Sequence, residues 1–343
     1  MVERLVRNEK VRGSTPLGST ILKLNPGTRN RPARAEAVLA LIGNTQLAPL
    51  HFAEERVTLF AKCEFLNPSG SVKDRFAKCV ILDAEERSLL KPGSIILECT
   101  SGNTGVALAM VGAAKGYPVT ILMSQGASEE RRRLIRQLGA ELILFESAGR
   151  YQTGIDISRA MAAKDPRYFL PRQFENPLNV EDHEHGTGLE ILRQVPGPID
   201  AFVAGFGTGG TLAGVGKAIK ARYPNARILA MEPAEAALLA GEFPCCHFIE
   251  GVADGFIPAL LRSAPLDGEV KIGSLEALNM TRRLHREFGL LVGTSSGANV
   301  AAALKVAIEL GPESKVVTIL CDRAERYFST RLFEPVEGQT KTK

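Results

Sequence analysis

Lys73 lies behind a turn of small residues, Asn67-Pro68-Ser69-Gly70-Ser71-Val72, and ahead of a helical run with Phe76, Ala77, Val80 and Ile81 on its apolar positions. An ordinary lysine is protonated and a poor nucleophile. Attack on a carbonyl requires a setting that favours its neutral amine and the imine it forms. Two loops rich in glycine and hydroxyls come later, Thr100-Ser101-Gly102-Asn103-Thr104-Gly105 and Gly207-Thr208-Gly209-Gly210-Thr211. Each follows a strand-like run and opens a helix-like one. Backbone N–H groups at a helix N-terminus, threonine hydroxyls and the helix dipole all favour a bound anion. Glycines let the backbone approach it closely.

One imine-forming lysine and two anion loops are what an enzyme needs to hold pyridoxal 5'-phosphate (PLP) and an amino acid: the lysine forms the Schiff base, one loop cradles the phosphate, and the other grips the substrate carboxylate. A dinucleotide fingerprint is the rival for the second loop, because Gly205-x-Gly207-x-Gly209 has a similar look and Glu232 ends the next strand-like run. That fingerprint normally sits in a first strand–helix unit, and alone it is a weak signal.

The order and wording of these motifs resemble the cysteine synthase and cystathionine β-synthase family, the β-replacement branch of fold-type II PLP enzymes. The resemblance runs from Ile42-Gly43-Asn44-Thr45 to Glu325-Arg326-Tyr327-Phe328-Ser329-Thr330. It implies that Lys73 carries the cofactor and moves the substrate's α-proton, and that Gly207, Thr208, Gly209, Gly210 and Thr211 hold the phosphate. It implies that Asn103 bonds the cofactor's ring oxygen. Thr100, Ser101, Gly102 and Thr104, with Gln173 from Gln173-Phe174-Glu175-Asn176-Pro177, belong to the site of the substrate carboxylate. Ser295, in Gly293-Thr294-Ser295-Ser296-Gly297, faces the pyridine nitrogen; a neutral hydroxyl there makes the ring a moderate electron sink, which suits β-elimination over transamination. Read alone, Ser295 is equally a helix N-cap. The implied reaction is ping-pong: an O-activated serine loses its leaving group to give a bound aminoacrylate, and a nucleophile then adds at the β-carbon. The expected enzyme is a cysteine synthase using O-acetyl-L-serine and sulfide. The alternatives are β-replacement with homocysteine, cyanide or an amine in a diaminopropionate-type pathway, a dehydratase, or a PLP-bound scaffold without turnover. By resemblance the protein is a homodimer, and a complex with serine acetyltransferase is possible for the family.

Four stretches depart from the family wording. Gln46 stands in place of a proline. Ser124-Gln125-Gly126-Ala127 replaces a Pro-Glu loop bordering the entry. Glu250-Gly251-Val252-Ala253-Asp254 puts two carboxylates on the acceptor side, so Glu250 and Asp254 are the acceptor-side candidates. Carboxylates there would repel a phosphate leaving group, which makes O-phosphoserine a poor donor. Cys321-Asp322-Arg323 replaces a Pro-Ser-Ser run. It is similar to B-type cysteine synthases of broader acceptor range, while Asp322 and Arg323 by themselves read as a surface ion pair.

The elements that must position these residues alternate. Strand-like runs at 57–62, 94–98, 119–123, 141–145, 201–204, 227–232 and 315–320 are separated by helix-like runs at 75–88, 105–116, 128–138 and 211–223. Short apolar strands alternating with helices predict an α/β fold with mostly parallel sheets flanked by helices, in two domains with the active site between them. The expected division is an N-terminal extension at 1–35, a smaller α/β domain at 67–180 with the lysine and substrate loop, a larger one at 36–66 plus 181–335 with the phosphate loop, and a tail at 336–343. The chain has 343 residues, 45% hydrophobic and 23% charged, with net charge +4. That is too mild for nucleic-acid binding, and no apolar run reaches membrane-spanning length. The N-terminus lacks a signal core, and Glu3 and Glu9 argue against a transit peptide, so a cytoplasmic location is expected. The six cysteines match no metal motif, and are expected as buried free thiols in a reducing compartment.

Overall fold

Ile95–Cys99, Val119–Ser124, Ala201–Gly205 and Val316–Leu320 are short apolar runs, and each forms a strand with nearly every side chain buried. Strands covered on both faces are the mark of parallel sheets sandwiched by helices. The structure is a computed structural model that describes residues 31–146, 151–242 and 246–334. In chain order it contains α1 (Arg31–Ala40), β1 (Leu47–Phe52), β2 (Val57–Cys63), α2 (Lys73–Glu86), β3 (Ile95–Cys99), α3 (Asn103–Lys115), β4 (Val119–Ser124), α4 (Glu129–Gln137), β5 (Glu141–Phe145), α5 (Tyr151–Lys164) and β6 (Tyr168–Phe169). There follow α6 (Leu178–Asp182), a π turn at His183–Gly188, α7 (Leu189–Gln194), β7 (Ala201–Gly205), α8 (Gly210–Arg222), β8 (Arg227–Pro233), β9 (Gly268–Ile272), α9 (Ser274–Glu287), α10 (Thr294–Leu310) and β10 (Val316–Leu320).

Two sheets result. One has six strands in the order β1-β2-β10-β7-β8-β9, the other four in the order β5-β4-β3-β6. Every pairing is parallel except β1 with β2. This is the α/β class read from the alternation of elements. β1 was not foreseen, because Pro49 interrupts its apolar run; the strand tolerates Pro49 because it lies at the sheet edge. The half-exposed edge strand β9 was also missed. Helix α1 starts at Arg31, before residue 36, and Leu39 and Ile42 join the core around α2, α3 and the four-stranded sheet. The rest of the expected extension and the tail at 336–343 lie outside the described residues.

The cysteine expectation needs one correction. Cys63 and Cys99 are buried and Cys79 and Cys321 partly so, but Cys246, in a stretch outside the helices and strands, is exposed, and Cys245 lies outside the described residues. Among the described residues no helix is long and apolar enough to cross a membrane.

Candidate active site

The turn before Lys73 is held from several sides. Asp74 accepts hydrogen bonds from the Ser69 amide (2.7 Å) and the Ser69 hydroxyl, Asn67 Oδ1 accepts from the Gly43 amide (2.9 Å), and the Val72 amide donates to the Cys321 carbonyl at the end of β10 (2.9 Å). Two residues beyond Lys73, Arg75 forks onto Glu64 (Nε–Oε2 2.7 Å) and Glu190 (Nη2–Oε2 2.7 Å), and Glu190 also meets Lys62 at 2.7 Å. Lys62 and Glu64 are fully buried and Arg75 is 4% exposed, so two cations and two carboxylates balance inside the protein. This cluster fixes the first turn of α2, which carries Lys73, against the six-stranded sheet.

Lys73 opens into a cavity with an empty volume of about 830 Å³, its mouth included. Thr100, Ser101, Asn103, Thr104, Gln173, Gly207, Thr208, Gly209, Thr211, Glu250, Asp254 and Ser295 line it as well. Of the expected site residues, Gly102 and Gly210 alone stand behind the lining. The Lys73 amine has no hydrogen-bond or ion-pair partner among the described residues. Burial lowers its pKa, against the opposing fields of Cys321, Asp254 and Asp322. An amine that is desolvated and unpaired is suited to attack a carbonyl.

On one side of Lys73 the loop 207–211 feeds the N-terminus of α8. Gly209 has φ +83°, and a Cβ there would come within 2.9 Å of the Leu261 amide nitrogen, so both conformation and space call for glycine. Thr208 Oγ1 accepts from Asn179 Nδ2 (3.1 Å), and Thr211 Oγ1 lies 3.1 Å from His183 Nε2. His183 is in the π turn, and its Nδ1 faces Thr187 Oγ1 at 2.9 Å. Burial, reinforced by Arg75 and Lys73, keeps this imidazole neutral at ordinary pH. The fit to PLP is therefore good on the chain's own terms: a free amine, a helix N-terminus with threonine hydroxyls for a phosphate, and a small hydroxyl, Ser295 (4% exposed), in the first turn of α10.

The other loop, 100–105, opens α3. Thr104 Oγ1 donates to Gln173 Oε1 (2.6 Å), and Gln173 Nε2 donates to the Cys99 carbonyl (2.9 Å). Thr104 and Gln173 thus hold one another beside the cavity. Glu98, at the end of β3, accepts from the Gln173 amide (3.2 Å), and burial pushes its pKa up to about 8. Across the cavity, burial raises Asp254 to about 6, with Lys73 pulling the other way. Asp254 accepts no hydrogen bond from the described residues, so its carboxylate is free to face a ligand.

Several lining residues escaped the sequence reading. Arg131, 2% exposed, bonds Glu250 Oε2 (2.8 Å) and Ser128 Oγ (2.8 Å). Tyr151 donates to the Cys99 carbonyl (2.8 Å). Asn299 accepts from the Gly205 amide (2.7 Å) and donates to the Ile319 carbonyl (2.9 Å). Asn299 left a readable signal, a lone amide inside the apolar helical run Ala298–Ala303. Asp322 and Arg323 do not form the expected surface pair. Asp322 is 1% exposed and turns inward to Asn103 and Tyr327, while exposed Arg323 donates to the Phe65 carbonyl (3.0 Å). The antiparallel bridges of Asp322 with Ser71 and of Arg323 with Val292 fix their backbone here, beside the Lys73 turn.

Comparison with known proteins agrees with this geometry. The model of the pyridoxal-phosphate dependent enzyme family matches residues 38–322. The chain belongs to that family. PLP is its cofactor, and the two-domain α/β architecture is that of fold-type II. A cysteine synthase from Staphylococcus aureus is 44% identical over 299 residues, covering 86% of this chain and 96% of the relative. The crystal structure of an O-ureido-L-serine synthase superimposes with TM-score 0.83 at 44% identity, covering 89% of this chain and 96% of that one. An O-acetylserine dependent cystathionine β-synthase from Helicobacter pylori gives TM-score 0.82 at 35% identity, covering 87% and 98%. These relatives place the chain among PLP enzymes of the cysteine synthase type.

Proposed function

We propose that the protein replaces the β-substituent of O-acetyl-L-serine with sulfide, giving L-cysteine and acetate. The observation that carries this reading is the unpaired Lys73 amine set between an anion loop at α8 and a second one at α3. When bound, PLP would offer the Lys73 amine a carbonyl to hold it and would supply a ring that withdraws electrons from the substrate's α-carbon. Lys73 Nζ, Asn103, Ser295 and residues 207–211 are the groups suited to hold it. Thr100, Ser101, Thr104 and Gln173 line the cavity and are the groups suited to the substrate carboxylate. Lys73 Nζ is the group that takes the substrate's α-proton, and it returns that proton after the nucleophile has added. Cys99, Tyr151 and Phe174 close the wall behind Gln173 and limit water there.

A second reading rests on Asp254. Sulfide reaches the site largely ionised and needs no base, whereas a thiol or an amine does. A half-buried carboxylate with a raised pKa, facing Lys73, is such a base. This favours a protonated acceptor in addition to sulfide. Glu250 is offset by Arg131, but Asp254 has no ion-pair partner among the described residues, which supports the expectation that O-phosphoserine is a poor donor. The division at 67 and 180 is supported by β3 to β6 all falling between 95 and 169. By family resemblance we read the enzyme as a cytoplasmic homodimer, with serine acetyltransferase as a possible partner. The test is a product assay with O-acetylserine and a panel of acceptors: sulfide, homocysteine, cyanide and an amino-acid amine. Cysteine as the dominant product supports the first reading. A thiol or amine outcompeting sulfide moves the assignment to the second, and pyruvate release alone overturns both.

A further inference from the structure

Asn103, the first residue of α3, presents its amide to the cavity between two groups from the far end of the chain. Its Nδ2 donates to Asp322 Oδ2 at 2.5 Å, and its Oδ1 accepts from Arg326 Nη1 at 2.8 Å. A guanidinium only donates and a carboxylate only accepts. Between them they decide which end of the amide is nitrogen. One Nδ2 hydrogen is used by Asp322, and the second remains for an acceptor in the cavity. Asp322 is itself fixed. Tyr327 donates to the same Oδ2, the Tyr327 ring lies under the Arg131 guanidinium at 5.2 Å, and the Asp322 carbonyl accepts from the Gly293 amide (3.2 Å). Asp322 Oδ1 is buried without a hydrogen-bond partner among the described residues and packs where a Cβ on Gly293 would stand, so the carboxylate has no room to swing away. Arg326 is held in turn by the Ser69 carbonyl of the Lys73 turn.

We propose that Asp322 is a positioning residue that, with Arg326, locks the Asn103 amide so that one N–H is always offered to the ring oxygen of the cofactor. The inference rests on the reading that Asn103 faces that oxygen. An Asn free to rotate presents its carbonyl to the oxygen part of the time, which is repulsive, and otherwise costs entropy to order. The Cys-Asp-Arg wording is then a device for holding the cofactor's donor.

The test uses the full chain with bound cofactor and four variants: Asn103→Ala, Asp322→Ala, Asp322→Asn and the double Asn103→Ala/Asp322→Ala. Two quantities are read, the pH titration of the bound cofactor's absorption and the dissociation constant for PLP. Asn103→Ala should shift the titration and weaken binding about tenfold, the worth of one good hydrogen bond. Asp322→Ala should move both in the same direction. The double variant should go no further than Asn103→Ala, because Asp322 acts through Asn103. Asp322→Asn, whose carbonyl accepts in the same place, should lie nearer the unaltered protein. If Asp322→Ala fails to fold, Asp322→Leu keeps the volume without the acceptor and reads the same. Effects that add in the double variant, or an Asp322→Ala protein with unchanged spectrum and affinity, overturn the proposal. An Asn103→Ala protein unchanged in both readouts overturns the reading of Asn103 instead.

Discussion

Asp254→Asn exchanges a carboxylate for a neutral group of the same shape, and the structure sets opposite consequences for stability and turnover. Burial outweighs the attraction of Lys73 and pushes the carboxyl up to about 6 in the folded protein, from 3.8 for an ordinary aspartate. A raised carboxylate pKa means that the folded state holds its proton more tightly than the unfolded chain does. Its stability contribution is full below about pH 3.8 and is lost as the pH climbs through about 6. That difference corresponds to about 3 kcal/mol, and water reaching the half-buried side chain reduces this to about 1–2 kcal/mol. Urea unfolding of the cofactor-free protein should find Asp254→Asn more stable by that amount at pH 8 and equal to the unaltered protein at pH 4. In turnover, the step that adds a thiol or amine should fall about tenfold per pH unit below pH 6 in the unaltered enzyme, and by about 10²-fold at pH 8 in the variant. The step with sulfide should change only a few-fold. A variant destabilised at pH 8, or equally affected with sulfide and with thiols, would refute the assignment of Asp254 as a costly buried base.

Glu190→Ala should destabilise by about 3–5 kcal/mol, because it strands Lys62 and Arg75 in the interior; urea or thermal unfolding measures this. Burial opposes Glu190 ionisation, yet Arg75 and Lys62 lower its pKa to about 2, so its contribution is present above about pH 4.5 and fades as the pH falls through 2. Glu190→Gln should therefore flatten the acid limb of the stability curve. Gly210→Ala places a methyl within 2.5 Å of Asn179 Cγ, and Asn179 joins Thr208 (3.1 Å) to the Gln173 carbonyl (2.9 Å). Overpacking there should weaken PLP binding about tenfold or more in an absorbance titration of the cofactor-free protein. O-phosphoserine should give kcat/KM at least about tenfold below O-acetylserine, since Asp254 forms no ion pair among the described residues and feels Lys73 and Arg131 only at longer range.

The local parts of this enzyme were the legible ones. The run Glu141–Phe145 reads as a strand and is one, and the two glycine loops stand where strands hand over to helices, because those signals lie within a few neighbouring residues. What was hidden depends on contacts far apart in the chain. Arg131 meets Glu250, and Arg75 meets Glu190, across more than a hundred positions, and no local pattern announces either pair. Asp322 looked like half of a surface ion pair because its neighbour is an arginine. The strand geometry at the end of β10 turns Asp322 inward and Arg323 outward. β1 was lost for the opposite reason, a strong local signal from Pro49 that the edge position overrides.

On our proposal, Lys73 works with PLP to exchange the β-substituent of an O-activated serine. The most direct measurement is the absorption of the purified protein, titrated first with O-acetyl-L-serine and then with sulfide, beside Lys73→Ala. The expected result is a cofactor band that changes on the first addition and returns on the second with release of cysteine, and none of this cycle in Lys73→Ala. A band unmoved by O-acetylserine, or a full cycle in Lys73→Ala, would contradict it.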